Sequence, residues 1–444
     1  MDRERVAGAP VRCSGQTDFS IAMKVQLAYG QGYLEVELPG EVTVIKPSHQ
    51  EALGNEREAV EAALERPAAA RPLRDWITPD CRICIVFTDI TRATPNERLI
   101  PWLLDYLMSV PGLRREQITL LNGLGTHRPN TRTELETMLT AGVVANYRVL
   151  NHEPENRDEL LIVGRTRGGT PALLNRHVVE ADVRIITGFI EPHFFAGFSG
   201  GPKGIMPGAA GLETIISNHG AKNIGDPKAA FGITEGNPIW EEMRDIALRP
   251  GPSFLLNVAL NEARQITGVF AGELLAAHKV GCEFVKNSAM QKCDAPFDVV
   301  VTTNSGYPLD QNLYQAVKGM SAAARIVKQG GTIVLACECR EGVPADSSFD
   351  RMLRAASSPE EILTRLAAGD VAQPEQWQAQ IQSLIQRRAQ VWLYSSLGDE
   401  ATRKAHLRPC RDIGLEVRRM WQASRNGMRI AALPQGPLTI PYLS

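Results

Sequence analysis

From Met23 onward, short β-rich runs alternate with amphipathic stretches, and this alternation restricts the chain to architectures built on parallel sheets. Strands are expected at 34–39, 83–88, 117–122, 184–188, 297–303 and 332–337. Apolar residues recur at helical spacing over 50–65, 97–109, 131–141, 209–218, 271–287, 312–328, 374–388 and 414–424. Parallel neighbours need a crossover long enough to hold a helix, so strands alternating with helices read as βαβ units. A composition shift at 283–296, where KNSAMQKCDAPFD leads into a fresh strand, divides the chain. Residues 23–285 are expected as one unit and 286–427 as a second, with the chain end, 428–444, able to pack back on the first. The segment 341–380 reads as a helical hairpin over the second sheet. Residues 1–22 lack periodicity and read as a disordered extension.

The length, 444 residues, suits two to three domains with real cores. The 48 basic and 50 acidic side chains leave a net charge of −2, which argues against nucleic acid or an anionic membrane as partner. No apolar run approaches the ~18 residues that cross a bilayer, and the first residues lack the apolar core of a secretory signal. The eight cysteines fall at 13, 81, 84, 282, 293, 337, 339 and 410. Cys81 and Cys84 have CxxC spacing, but strand residues three apart face opposite sides of a sheet. Cys337 and Cys339 share a face without a second ligand pair nearby. Both pairs are expected as core thiols, and the chain as a reduced, cytoplasmic one.

Polar clusters recur where strands end, and ligands of parallel sheets collect there. The most unusual, Glu191 through Gly208, carries five glycines between 197 and 208 together with His193 and Lys203. Its spacing is that of neither a P-loop nor GxGxxG. Glycine backbone can approach a ligand closely, and an imidazole with an amine offers a base and a nucleophile. His219 closes the next helix, either as a favourable helix-end charge or as a metal ligand. Asp89-Ile-Thr-Arg92 follows the strand 83–88: it reads either as an N-capping turn, with Thr94 or Asn96 as cap, or as Arg92 placed over an anion. His127, in GTHRP, is a loop histidine or a base. Beyond the strand 297–303, Tyr314, Gln315 and Lys318 share one helix face. Four such clusters spread over both halves imply an α/β fold class of two α/β domains with mostly parallel sheets and an active-site cleft between them.

EPHFFAGFSGGPK followed by His219, with DITR, GTHRP and YPLDQNLYQAVKGM, resembles the nickel-pincer-dependent lactate racemase family over nearly everything from Met23 onward. The resemblance implies a cofactor, pyridinium-3,5-bisthiocarboxylic acid mononucleotide carrying nickel, covalently linked to Lys203. It implies His219 as the nickel ligand, His127 and His193 as paired acid/base residues, and Asp89, Thr91 and Arg92 at the cofactor. It implies Arg92, Gln315 and Lys318 on the substrate, with Tyr314 lining the pocket. Pro202 departs from the family pattern, since lactate racemase carries a cation there. The activity implied is racemisation or epimerisation of 2-hydroxy carboxylic acids by reversible hydride transfer through a 2-keto acid, with cofactor-biosynthesis proteins as loading partners. Two other readings compete: a Schiff-base lyase using Lys203, and a non-catalytic carrier of the cofactor.

Overall fold

The computed structural model describes residues 22–345, 347–369, 373–424 and 427–443. The expected extension, 1–22, lies outside them except for Ala22, which opens the first strand. In chain order the sheet strands are β1 (Ala22–Tyr29), β2 (Gly32–Pro39), β3 (Val42–Val44), β4 (Ile83–Thr88), β5 (Ile118–Gly123), β6 (Arg148–Asn151), β7 (Val183–Phe189), β8 (Phe254–Leu260), β9 (Ile266–Glu273), β10 (Phe297–Thr303), β11 (Val327–Ala336), β12 (Gln390–Tyr394), β13 (Arg408–Pro409) and β14 (Ile430–Leu433). The helices that shape the site are α1 (Asn96–Met108), α2 (Leu212–Asn218), α3 (Leu274–Ala289), α4 (Leu313–Ala324) and α5 (Gln376–Arg388).

Two six-stranded sheets organise the molecule. The first runs β9-β8-β7-β4-β5-β6, parallel except for the β8–β9 hairpin at its edge. The second runs β13-β12-β11-β10-β14-β3 and is parallel throughout. Continuous burial of β4, β7 and β10 fits strands covered on both faces.

The chain end, 428–443, adds no strand to the first sheet: β14 pairs with β10, and Ile440–Leu443 pairs with Met290–Cys293. It still meets the first half, where Gly436–Leu438 lies against Pro192–His193. Strands β1 to β3, counted with the first unit, go to the second. Val25, Leu27, Val36 and Leu38 share a core with Val299, Val301, Val334 and Ile430, and β3 caps β14. These additions cover the β10 edge, which would otherwise expose unpaired backbone groups. The expected helix 312–328 stops at Ala324, because β11 begins at Val327 and kinks at Gly330, with φ +76°. The expected helical segment 341–380 holds, among its described residues, short helices at Ser348–Ala355 and Pro359–Ala368 and the start of α5, each packed against the next. The seven described cysteines are free and buried. No helix among the described residues is long and apolar enough to cross a membrane.

Candidate active site

Strands β7, β4 and β5 are neighbours, and their carboxyl ends launch three of the polar clusters side by side. The fourth arrives on α4, whose first turn is capped by Asn312 accepting the Gln315 N–H. These elements close one cleft between the sheets. His127, His193, Lys203, His219 and Arg92 line it from the first half, and Tyr314, Gln315 and Lys318 from the second. Asp89 and Thr91 do not line it. Asp89 is buried, accepts the Thr91 N–H and hydroxyl at 2.8 and 2.5 Å through Oδ1, and lies 3.0 Å from His127 Nδ1 through Oδ2. Its Oδ2 stands behind the imidazole.

The two cleft histidines are held differently. Asp89 accepts from Nδ1–H of His127 and leaves Nε2 with the lone pair. His193 instead accepts the Ala196 N–H at its Nδ1, 3.2 Å away, and packs against Phe194 and Phe195. Burial, reinforced by the nearby charges of Lys203, Lys318 and Arg92, holds His193 well below the usual imidazole range. Burial drives Asp89 upward, but His127, Arg92 and Thr91 outweigh it and hold the carboxyl well below its usual range.

The amines are similarly perturbed. Burial, then Arg92 and Lys318, lowers Lys203 to about 7; burial, then Arg92, lowers Lys318 to about 8. No hydrogen bond or ion pair from a described residue reaches either amine. Lys203 has only the Phe195 ring, 6.0 Å away. A buried amine poised near neutrality is a free nucleophile at ordinary pH. Burial raises the Glu191 carboxyl in the same cluster, against the pull of Lys318, Arg92 and Lys203.

His219 ends α2 between Phe195 and Trp377, with ring centroids 5.0 and 4.9 Å away. Burial and the Lys203 charge push it down to about 3, so the ring is neutral. Its buried Nδ1 has no partner among the described residues. A neutral imidazole with an unsatisfied nitrogen fits a soft or borderline metal. No group of three or more His, Cys, Asp or Glu able to hold an ion occurs among the described residues. A metal at His219 would therefore take most of its ligands from a bound organic group, and the free Lys203 amine fits the attachment of such a group.

Reading the sequence alone missed Trp377 and Gln378. Both lie on α5 and reach the cleft: Trp377 Nε1 donates to the Tyr314 hydroxyl at 3.1 Å, and Gln378 Nε2 to the Tyr314 carbonyl at 2.5 Å. The helix was expected from its periodicity, but no motif connects it to the other clusters.

A two-lobed α/β fold thus gathers three imidazoles and two amines, unpaired among the described residues, in its interlobe cleft. Residues 29–232 match the lactate racemase N-terminal domain and residues 292–440 the lactate racemase C-terminal domain. A lactate racemase of Thermoanaerobacterium thermosaccharolyticum is 33% identical over 93% of this chain and 97% of its own. One of Lactiplantibacillus plantarum is 35% identical over 86% and 90%. The chain belongs to the lactate racemase family, whose named members are isomerases. The structure of the lactate racemase apoprotein from T. thermosaccharolyticum superposes with a TM-score of 0.88 at 32% identity, covering 94% of this chain and all of that one. A Thermotoga maritima protein, 20% identical, shares the fold with a TM-score of 0.68 over 87% of this chain and 98% of that one.

Proposed function

We propose that this protein is a 2-hydroxy acid racemase or epimerase of the lactate type, working with a nickel-pincer nucleotide tethered to Lys203. The observation that carries the reading is the convergence on one cleft of a free, buried amine, a neutral histidine with an unpartnered nitrogen, two further imidazoles, and cations from both lobes. Lys203 is the attachment point, and His219 the ligand that the protein gives the nickel. When bound, such a group supplies a reversible acceptor for the α-hydrogen as hydride, which avoids the poorly stabilised carbanion of a 2-hydroxy carboxylate.

The chain's own residues do the rest. Arg92 and Lys318 neutralise the carboxylate and fix the reacting carbon, a positioning effect that can reach ~7–11 kcal/mol when alignment is good. Gln315 and Tyr314 complete the wall on the α4 side. His127, oriented by Asp89, takes the hydroxyl proton at Nε2 as the alcohol carbon is oxidised to the keto level. His193 serves the opposite enantiomer, releasing its contact with the Ala196 N–H when it takes up a proton. The aromatic wall of Phe194, Phe195 and Trp377 excludes water, which protects the keto acid from escape.

The test uses protein produced together with the cofactor-biosynthesis proteins that load it. Mass spectrometry locates any adduct, and enantiopure lactate deuterated at C2 is followed by chiral chromatography in ordinary water. Racemisation with an adduct on Lys203 and deuterium retained supports the reading. Racemisation with deuterium washed out points to proton abstraction and overturns the hydride route; a loaded protein that scrambles no 2-hydroxy acid is a carrier.

A further inference from the structure

The turn that carries Lys203 is gripped by two polar side chains that do not themselves line the cleft. Asn257 sits in the middle of β8 and His278 on the buried side of α3; they are 0% and 2% exposed, among apolar neighbours. Burying an amide or an imidazole is unfavourable unless each finds partners, and both find them on this turn. Asn257 Oδ1 accepts the Gly201 N–H at 2.9 Å, while its Nδ2 donates to the carbonyl of Leu256 at 3.1 Å. His278 donates Nε2–H to the Ser199 carbonyl at 2.9 Å. Burial pushes His278 down to about 4, so the ring is neutral. Cys282 Sγ lies beside the same ring, 3.5 Å from Nε2 and 3.7 Å from Nδ1. Trp240 stacks over the same ring, 6.4 Å away and 14° from parallel.

The fit leaves no slack. Gly200 and Gly201 have φ of +73° and +56°. A Cβ on Gly200 would fall 2.3 Å from Asn257 Oδ1, and one on Gly201 2.4 Å from the His278 ring. The two glycines thus wrap the backbone directly onto these side chains, and Pro202 follows with its φ fixed by its ring. Lys203 is then held on both sides: its N–H donates to the Gly200 carbonyl, and its own carbonyl accepts from Gly208, each at 3.2 Å.

We propose that Asn257 and His278 are positioning residues that set the Ser199–Lys203 turn, and through it the depth and direction at which the Lys203 amine enters the cleft. The proposal rests on reading Lys203 as the tether. A displacement of about 1 Å at a reacting atom can slow a reaction by about 10²-fold, so the clamp acts on the attachment step without touching the attached group.

The test compares Asn257→Leu and His278→Leu, which remove the bonds, with His278→Gln, whose amide can still donate to the Ser199 carbonyl. Asn257→Ser, too short to reach Gly201, serves where the leucine variant does not fold. Two rates are read: acquisition of the cofactor adduct at Lys203 during loading, and acylation of Lys203 in the apoprotein at pH 7.5 by a small activated ester, relative to exposed Lys24. Both rates are expected to fall at least about tenfold in the bond-removing variants and to stay within about twofold of wild type in His278→Gln. Unchanged rates in folded bond-removing variants overturn the clamp, as does an equal loss in His278→Gln and His278→Leu. A wild-type chain that never acquires the adduct, yet shows the expected acylation pattern, overturns the tether and leaves the clamp standing.

Discussion

Asp89 Oδ2 and His127 Nδ1 stand 3.0 Å apart, with the carboxylate buried and the imidazole half-open to the cleft. A carboxylate behind one ring nitrogen fixes the tautomer and stabilises the imidazolium that forms when the other nitrogen takes a proton. Asp89→Asn keeps the shape but allows the amide to donate, so the ring can turn its lone pair inward. Turnover is expected to fall by up to about 10⁴-fold, as loss of the right tautomer does in a Ser-His-Asp triad, while the Lys203 adduct forms normally. Chiral chromatography and intact mass together check this. A drop below threefold would mean that the carboxylate serves the fold alone.

His193 lacks such a partner and accepts a backbone N–H instead. The two bases are therefore unequal, yet enantiomers have equal free energies in water. Detailed balance then forces kcat/KM to be the same from either enantiomer of lactate, in wild type and in every variant. His127→Asn and His193→Asn are expected to lower kcat/KM equally in both directions, by about 10²–10⁴-fold each. The inequality of the two sites shows only in how each loss divides between kcat and KM. Progress curves from both pure enantiomers measure this, and a one-way loss would show that the product is not simply the mirror image.

Much of this site was legible because its chemistry is local. Ile83–Thr88 and Phe297–Thr303 are apolar β-branched runs that end in polar turns, and both strands stand where periodicity places them. Lys203, His193 and His219 share one stretch of chain, so a single motif carries them. The clamp was not legible: Asn257 interrupts an apolar strand and His278 an apolar helix face, and neither shows in sequence which backbone it holds. Trp377 and Gln378 approach the cleft from a helix more than fifty residues beyond α4, a contact made by tertiary packing alone. Strand β14 was missed because Ile430–Leu433 is only four residues long and half alanine; its strand character comes from pairing with β10.

The burial of Lys203 has a consequence for stability. Its folded pKa, about 7, lies below the ordinary 10.5, so between these values the unfolded chain holds more protons than the folded one. Stability from this group therefore rises with pH across that window, and the penalty is fully present below about 7. Lys203→Met in the apoprotein is expected to melt higher than wild type at pH 6.5, by about 1 °C for each kcal/mol recovered in a chain of this length. That advantage is expected to shrink as pH approaches 10. Scanning calorimetry of both apoproteins across this range checks the sign, and a gap that widened with pH would refute the burial of a neutral amine.

Lys318 titrates where substrate affinity can be read directly. Burial and Arg92 lower it to about 8, so below that pH the cleft offers two cations to the substrate carboxylate and above it only Arg92. KM is expected to stay flat below about pH 8 and to rise above it, toward tenfold per unit, with the onset moved upward to the extent that bound carboxylate stabilises the ammonium. Lys318→Met removes the cation at every pH, so its KM is expected to be high and free of this inflection, while Lys318→Arg shifts the charge out of the titrating range and keeps KM flat to at least pH 9. Initial rates for loaded protein between pH 6 and 9.5 decide the matter. An inflection that persisted in Lys318→Met would assign the titration to another group and leave Arg92 as the carboxylate's principal partner.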